Sequence, residues 1–241
     1  MTVHTHIRPA PLRVAITGGT SGLGLALVRA FKEAGAEAAF VARTPAAVAA
    51  VAAETGAVGI VADVAEKDDI HRIALQVNTG LGGLDVLINN ASDLGPTPLA
   101  LLADTDCEDL ERALTTNLVG PFRLTKALLG ALAASAREGR GAVVVNISSD
   151  AAVTPYETWG AYGASKAALK HLSAIWDAEL AGEGVRVICV DPGDMDTPLH
   201  AAAIPDADPS QLKRPEAAAQ EIIAAIRAAL PAAEPARAGA P

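Results

Sequence analysis

Short apolar segments alternate with longer segments rich in Ala and Leu along most of the sequence. The short segments predict six strands, at residues 12–17, 36–42, 57–62, 84–89, 141–148 and 185–190. The longer segments predict helices, near residues 23–35, 45–54, 66–79, 104–137, 159–181 and 215–230. Most of the strand segments are continuously apolar, which is typical of strands covered by helices on both faces. The alternation therefore predicts an α/β fold with a doubly wound parallel sheet of six or seven strands.

The pattern runs without a linker, charge block or clean repeat from residue 12 to about 230. We therefore expect one domain at 12–230, preceded by a flexible arm at 1–11 and followed by a tail at 231–241. Residues 236–240 of the tail form either a short edge strand, which would be the seventh, or no strand at all.

Charge and cysteine content exclude several classes of protein. The formal net charge of −9 argues against a nucleic-acid partner, because such a partner requires a basic face. No apolar run reaches the eighteen or so residues of a membrane span, and residues 1–11 lack the apolar core of a signal peptide. Cys107 and Cys189 are far apart and have no His at zinc spacing, so we expect no metal site. These features predict a cytoplasmic protein.

A glycine-rich turn joins the first predicted strand to the first predicted helix. Gly18, Gly22 and Gly24 follow the pattern G-x-x-x-G-x-G. Glycines here allow positive φ angles and close approach of the backbone to a pyrophosphate, and the helix start offers free N–H groups to it. A glycine-rich turn without a ligand is the alternative. The position between strand and helix favours dinucleotide binding.

The end of the second strand distinguishes between the two nicotinamide dinucleotides. A carboxylate there would accept a hydrogen bond from the ribose 2′-hydroxyl and favour NAD(H). The sequence has Arg43 instead, and an arginine can hold a 2′-phosphate through charge-assisted hydrogen bonds. The alternative is an ordinary exposed arginine at a strand end. We predict that NADP(H) is preferred over NAD(H).

Turn-forming polar residues follow three further strands. Asp63-Val64 ends the third strand, Asn89-Asn90-Ala91 the fourth and Asp191-Pro192-Gly193 the sixth. Each group alone is compatible with ordinary turn formation. Ligands of open α/β sheets bind at the carboxyl ends of strands, so all three groups are expected to face one crevice.

Tyr162 and Lys166 lie four residues apart, so a helix at 159–181 would place them on the same face. Ser149 precedes Tyr162 by thirteen residues and ends the fifth strand. For the pair alone, packing of the tyrosine and solvation of the lysine is the simpler interpretation. The dinucleotide turn and Ser149 favour a chemical role instead.

Taken together, these motifs resemble those of the short-chain dehydrogenase/reductase family in its short single-domain form. The resemblance rests on TGGTSGLG at 17–24, NNA at 89–91, Asn117, Ser149, the YGASK stretch and DPGDMDT at 191–197. It covers residues 12 to about 200, with the motifs in family order and spacing. It implies a Rossmann-like fold, a nicotinamide cofactor and a homodimer or homotetramer in which the helices at 104–137 and 159–181 pair between subunits.

The resemblance also implies roles for four residues. Tyr162 would be the general acid/base at the substrate oxygen, and Lys166 would supply the positive charge that favours its phenolate and bind the nicotinamide ribose. Ser149 would donate a hydrogen bond to the substrate oxygen. Asn117 would hold a water that carries protons from Lys166 to solvent.

Cofactor and substrate contacts follow by position in the family motifs. The implied cofactor-binding residues are Gly18, Thr20, Ser21, Gly22, Leu23, Gly24, Arg43, Asp63, Val64, Asn90, Ala91, Tyr162, Lys166, Pro192, Gly193, Met195 and Thr197. The expected substrate pocket comprises Leu94, Asp150, Tyr156, Trp159 and His200, with Pro96, Ala152, Val153 and Leu199 beside them. This mainly apolar lining suits a ketone or secondary alcohol with a hydrophobic body. The lining does not distinguish between a steroid, a sugar, an acyl thioester and a xenobiotic as the substrate.

The sequence departs from the family pattern at two places. Ser92 stands where the family usually has glycine. The family also normally ends with a seventh strand rich in Val and Gly, whereas here the helix at 215–230 is followed only by the tail, with the short strand at 236–240 or none. The predicted function is an NADP(H)-dependent oxidoreductase that transfers hydride between the nicotinamide and a ketone, aldehyde or secondary alcohol. The alternatives are a cofactor-binding regulator or scaffold without turnover, and a lyase or epimerase of the extended branch. The glycine spacing and the short C-terminal part disfavour the extended branch.

Overall fold

The structure is a computed structural model that describes residues 10–231. The predicted arm, apart from its last two residues, and the predicted edge strand in the tail lie outside the described residues. Six strands form one sheet: β1 (Arg13–Thr17), β2 (Glu37–Ala42), β3 (Val58–Val61), β4 (Val86–Asn89), β5 (Ala142–Ile147) and β6 (Val185–Val190). All pairs are parallel, in the order β3-β2-β1-β4-β5-β6. The predicted doubly wound parallel sheet is confirmed, with six strands in this part of the chain.

Eight α-helices connect or flank the strands within residues 10–231. They are α1 (Gly22–Glu33), α2 (Pro45–Thr55), α3 (Lys67–Leu81), α4 (Cys107–Leu114), α5 (Gly120–Arg137), α6 (Gly160–Leu180), α7 (Pro198–Ala203) and α8 (Pro215–Ala229). Short 3₁₀ turns lie at Leu102–Asp104, Asp150–Ala152, Ala181–Glu183 and Pro209–Gln211. None of the helices in the described chain is both long enough and apolar enough to cross a membrane.

The single helix predicted at 104–137 is divided in the structure. A turn of π-helix, Thr115–Val119, joins α4 to α5, and the amide of Gly120 donates to the carbonyl oxygen of Thr115. Pro121 follows at the start of α5 and has no N–H to donate to the carbonyl four residues earlier. The wider turn inserts one extra residue, Asn117, which points into the protein and is 1% exposed.

Each face of the sheet is covered by its own helical layer. Val14 and Ile16 of β1 pack into the layer that contains α1, α2 and α8. Ala15 points the other way, into the layer that contains α3 and α5. Alternate residues of a strand face opposite sides, so a sheet covered on both sides needs apolar residues at every position. This explains the unbroken apolar segments of the sequence.

A buried carboxylate ties the amino-terminal end of the sheet together, opposite the end where the glycine-rich turn lies. Asp85 is fully buried and forms ion pairs with Arg13 at 2.7 Å and Arg140 at 2.6 Å, and Ser135 also donates to it. Burial raises the pKa of Asp85, but the hydrogen bonds from Arg140, Arg13 and Ser135 outweigh it and hold the pKa well below its usual range. The sequence analysis did not identify this cluster.

Buried amides connect the centre of the sheet to α6. Asn89 Nδ2 donates to Asn146 Oδ1 at 2.8 Å, and Asn146 Nδ2 donates to Ser173 Oγ at 2.8 Å. Ser173 Oγ in turn donates to the carbonyl oxygen of Leu169. This chain of hydrogen bonds satisfies both buried amides and fixes α6 against β4 and β5.

Candidate active site

The glycine-rich turn has the shape that a pyrophosphate requires. Gly18 and Gly22 have φ angles of +70° and +48°, which residues with a Cβ rarely adopt. A Cβ at Gly24 would collide with the carbonyl oxygen of Gly18. Helix α1 starts at Gly22, and the side chain of its N-cap, Ser21, makes no capping hydrogen bond, so the first amides of the helix stay available to an anion. The residues present therefore fit a dinucleotide.

The turn opens into a cleft of about 650 Å³ at the carboxyl ends of the strands. All the residues predicted to bind the cofactor line it, as do the five predicted substrate-pocket residues and Leu199. Pro96, Ala152 and Val153 were also expected beside the substrate pocket, but they are not among the residues that line the cleft. Asn117 is buried behind the cleft wall.

Arg43 and Asp63 face each other at the end of the cleft next to β2 and β3. The Arg43 side chain is 75% exposed, and its Nη1 atom lies 3.9 Å from Asp63 Oδ2. Asp63 Oδ1 accepts a hydrogen bond from the amide of Ala65. Arg43 is thus free to turn towards an incoming anion, whereas Asp63 is held by its own loop.

Tyr162 and Lys166 lie on the inner face of α6 and are both buried. The Lys166 Nζ atom is 5.4 Å from the centre of the Tyr162 ring and donates to the carbonyl oxygen of Ile147 at 2.8 Å. Ile147 ends β5, so this bond ties α6 to the strand that precedes Ser149. The predicted one-turn spacing places phenol and ammonium side by side in the cleft.

Burial shifts the pKa values of both groups away from their usual ranges. It raises the pKa of Tyr162 to about 12, against the opposing effect of the nearby Ser92 and Ser149 hydroxyls. It lowers the pKa of Lys166 to about 8. Near neutral pH the cleft therefore holds a protonated phenol beside a lysine that is still charged.

Ser149 is engaged by its neighbours. Its Oγ accepts a hydrogen bond from the amide of Ala151 at 3.2 Å and donates to Asp150 Oδ1 at 2.9 Å. The other carboxylate oxygen, Asp150 Oδ2, accepts from the Tyr156 hydroxyl at 2.6 Å. This bond from Tyr156 is the main cause that lowers the pKa of Asp150. The Ser149 proton is thus directed at a carboxylate that also lines the cleft.

The side-chain amide of Asn117 joins the loop after β4 to α6. Its Oδ1 accepts from the amide of Asp93 at 2.8 Å and from the Ser92 hydroxyl at 3.1 Å. Its Nδ2 donates to the Asp93 carbonyl oxygen at 2.7 Å and to Ser165 Oγ at 2.8 Å. Both donor positions and both acceptor positions of the side-chain amide are thus taken within the protein.

His200 lies in α7 at the edge of the cleft. Its amide donates to the Thr197 hydroxyl at 3.2 Å, and its Nε2 is 3.9 Å from Asp194 Oδ1. The buried Nδ1 atom has no hydrogen-bond partner among residues 10–231. His200 and the aromatic ring of Trp159 both line the cleft, so its lining is mixed at these positions.

The cleft lining also includes the hydroxyls of Ser92 and Ser148, to which the sequence analysis assigned no role. Ser92, which was noted only as a departure from the family pattern, bonds to Asn117. Ser148 is buried, and its Oγ has no partner within the described residues. Within residues 10–231, no group of three His, Cys, Asp or Glu side chains is placed to hold a metal ion.

Comparisons with known proteins agree with this fold. The family model described as short chain dehydrogenase matches residues 13–208. A short chain dehydrogenase of Pseudocercospora fijiensis is 35% identical over 194 residues, which are 77% of this chain and 60% of that protein. Serine 3-dehydrogenase of Agrobacterium fabrum is 34% identical over 187 residues, 76% of this chain and 72% of that protein.

A solved structure resembles the fold over nearly its whole length. It is the 3-ketoacyl-(acyl-carrier-protein) reductase of Brucella melitensis complexed with NADH, at a TM-score of 0.85 and 25% identity. The match covers 92% of this chain and 93% of that one. The sheet order, the cleft and these similarities lead to one conclusion: this chain belongs to the short-chain dehydrogenase/reductase family.

Proposed function

We propose that the protein is an NADP(H)-dependent oxidoreductase that interconverts a ketone or aldehyde and the corresponding alcohol, with Tyr162 as general acid/base. The observation that carries the proposal is the buried pair on α6. Tyr162 and Lys166 share one face of the helix, and the Lys166 Nζ atom lies 5.4 Å from the centre of the Tyr162 ring. Both residues line a cleft whose far end has the glycine turn of a dinucleotide site. A packing role would not require the lysine to be buried beside a phenol.

The protonation states near neutral pH favour carbonyl reduction. The phenol of Tyr162 is protonated there, because its pKa lies at about 12, and it can donate its proton to a substrate oxygen. The charge on Lys166 stabilises the phenolate that remains. Alcohol oxidation requires the phenolate at the start and is favoured by higher pH. When bound, the nicotinamide supplies the hydride for reduction or accepts it in oxidation.

Preference for NADP(H) rests on Arg43. Its guanidinium is exposed at the end of β2, where a ribose 2′-phosphate would lie, and no carboxylate ends that strand. The similar reductase of Brucella melitensis is complexed with NADH. The proposal of NADP(H) for this chain therefore rests on its own residues and not on that similarity.

The substrate side suits a neutral molecule with an apolar body. Leu94 and Trp159 pack beside Tyr162. The residues that line the cleft also include the carboxylates of Asp93, Asp150, Asp191 and Asp194. These carboxylates would repel an anionic substrate. The one lysine in the cleft lining is Lys166, which is buried under Tyr162 and cannot act as an anchor for an acidic group.

We also infer that the protein forms a homodimer or homotetramer through α5 and α6. Phe122 on α5 and Ile175 on α6 are 38% and 42% exposed, and Phe122 stacks on Trp176 with ring centres 5.8 Å apart. An exposed aromatic and aliphatic patch on two neighbouring helices is typical of a subunit contact. Light scattering at micromolar concentration tests this, and a monomer would overturn it. Location in the cytoplasm stays a prediction from composition.

The alternative is a cofactor-binding regulator or scaffold without turnover. It is favoured by one observation, the donation of the Ser149 proton to Asp150, which leaves that proton unavailable to a substrate. The two hypotheses are separated by following the absorbance of NADPH and NADH with a panel of neutral ketones, aldehydes and secondary alcohols. Turnover that is lost in Tyr162→Phe supports the enzyme. Binding of cofactor without turnover in either direction supports the regulator.

A further inference from the structure

The loop after β4 places Leu94 beside the proposed general acid/base. Leu94 is 6% exposed, lines the cleft and packs with Ala151 and Tyr162. Gly95 follows with a φ angle of +86°, and a Cβ at this position would lie 2.8 Å from the Cβ of Ala161. The loop therefore lies directly against α6, next to the residue that precedes Tyr162.

Arg112 on α4 binds this loop at two points. Its Nη2 atom donates to the carbonyl oxygen of Gly95 at 2.8 Å, and its Nε atom donates to Asp93 Oδ2 at 3.2 Å. These two acceptors belong to the residues on either side of Leu94. A third bond, from Nη1 to Asp109 Oδ1 at 2.6 Å, joins Arg112 to its own helix, three residues earlier. One guanidinium thus brackets Leu94 and connects it to α4.

We propose that Arg112 is a positioning residue of the candidate active site, which holds Leu94 against Tyr162 and so fixes one wall of the substrate pocket. The proposal rests on the proposed function of this cleft in carbonyl reduction. Arg112 is not among the residues that line the cleft, so it acts on a substrate through Leu94.

The two bonds to the loop depend on the shape of the guanidinium. Its donors lie in one plane in a fixed fork, so Nε and Nη2 can bind a carboxylate and a carbonyl oxygen at the same time. The Arg112 side chain is 47% exposed, and exposed ion pairs contribute little to the stability of a whole protein. The effect of Arg112 is therefore local to the loop that it binds.

The predicted cofactor contacts after β4 have anchors of their own. The amides of Asn90 and Ala91 both donate to the Thr17 hydroxyl, at 2.9 and 3.0 Å. Neither bond involves the guanidinium. Loss of Arg112 would therefore loosen the wall at Leu94 and leave the cofactor-binding part of the loop in place.

Amide hydrogen exchange tests the position of the loop without turnover. The Gly95 amide donates to Asp93 Oδ1 at 2.8 Å, and the other oxygen of this carboxylate accepts from Arg112, so loss of the guanidinium releases both bonds. In Arg112→Ala we expect exchange at 92–96 to be about tenfold faster than in the parent, as measured by mass spectrometry of peptides that cover this segment. Exchange at 17–24, the glycine-rich turn, should not change.

Steady-state kinetics give a second measurement. With a neutral ketone that the parent reduces, we expect Arg112→Ala to raise KM roughly tenfold, the equivalent of a weakened apolar contact between Leu94 and the substrate. We expect kcat to change less than about twofold, because Tyr162 and Lys166 keep their own contacts, and the Kd of NADPH to stay the same. A role in overall stability alone would lower the melting temperature without this separation of KM from kcat.

Two matched variants complete the experiment. Asp109→Asn weakens the bond of Arg112 to its own helix but keeps both bonds to the loop, and it is expected to behave as the parent. Arg186→Ala removes a comparable exposed ion pair, with Asp177 at 3.0 Å, outside the cleft. It should change neither exchange at 92–96 nor KM.

Two results would overturn the proposal. One is exchange at 92–96 in Arg112→Ala that coincides with the parent. The other is a KM in Arg112→Ala that equals the parent value for every ketone that the parent reduces. The exchange measurement requires no turnover, so failure of the parent to reduce any ketone would count against the proposed function alone.

Discussion

Arg43 Nη1 lies 3.9 Å from Asp63 Oδ2, across the end of the cleft where the adenosine of a dinucleotide would bind. The pair is exposed, so it contributes little to stability. Its importance is that Asp63 competes with an incoming 2′-phosphate for the Arg43 guanidinium. We therefore expect substitution of either residue to change the preference between NADPH and NADH.

Replacement of Arg43 by Ala removes the proposed phosphate partner. We expect kcat/KM for NADPH to fall roughly 10- to 100-fold, the equivalent of one hydrogen bond to a charged group, with little change for NADH. Asp63→Asn is the matched control, because it removes the competing charge but leaves Arg43. It should strengthen NADPH binding relative to NADH. An unchanged cofactor preference in Arg43→Ala would refute the NADP(H) proposal.

Replacement of Tyr162 by Phe removes only the phenol oxygen. We expect turnover to fall at least 100-fold, since general acid/base groups contribute about 10²- to 10⁴-fold. Cofactor affinity, measured by fluorescence titration, should change little because the ring and Lys166 remain. Substantial turnover in this variant would show that another group supplies the proton.

The rate of carbonyl reduction should depend on the charge of Lys166. Burial lowers its pKa to about 8, so the charged form is complete below this pH and is lost as the pH rises through it. We expect kcat for reduction to be flat near neutral pH and then to fall by about tenfold per pH unit well above 8. Lys166→Arg, which keeps a positive charge, should retain some activity without this decline. A decline of equal size in both proteins would mean that another group titrates.

Asp150 and Tyr156 should affect the reaction in opposite directions. Asp150→Ala releases the Ser149 proton for the substrate oxygen, and we expect kcat/KM for a neutral ketone to rise roughly 2- to 10-fold, the equivalent of one hydrogen bond. Tyr156→Phe removes the other donor to Asp150, which then binds Ser149 more strongly, so kcat/KM should fall. Changes of the same sign in the two variants would exclude this competition.

The buried carboxylate Asp85 should dominate the acid stability of the protein. Its pKa is held below the unfolded value, so its contribution is present above the ordinary aspartate range and is lost as the pH falls through the folded pKa. Asp85→Asn leaves Arg13 and Arg140 without their counter-charge. We expect a loss of about 3–5 kcal/mol in the free energy of unfolding by denaturant titration, with a weaker dependence on acid pH than the parent shows. Equal stability of variant and parent would contradict this role.

The positions of the cleft residues could be predicted because a parallel sheet gathers the carboxyl ends of its strands at one edge. Asp63, Asn90 and Asp191 are far apart in sequence, yet all three line the same cleft. The spacing of Tyr162 and Lys166 likewise required nothing beyond the geometry of one helical turn. These predictions depend on the backbone alone.

The hydrogen bonds within the cleft could not be predicted in the same way. Donation by Ser149 to Asp150 depends on the rotamers of two residues and on the position of Tyr156 six residues later. The bond from Ser92 to Asn117 depends on a loop and a helix that are 25 residues apart. The π-turn had one sequence signal, Pro121, but a proline at that position is equally compatible with a new helix.

The π-turn at Thr115–Val119 sets the direction in which the side chains of α5 point. One extra residue turns α5 by about 100° relative to an uninterrupted continuation of α4. With this offset, Asn117 points at the loop after β4 while Leu124 and Leu128 still face the sheet. A chain one residue shorter here could keep only one of these two orientations. The number of residues in the segment 115–119 therefore helps to determine where the side chains of the cleft wall point.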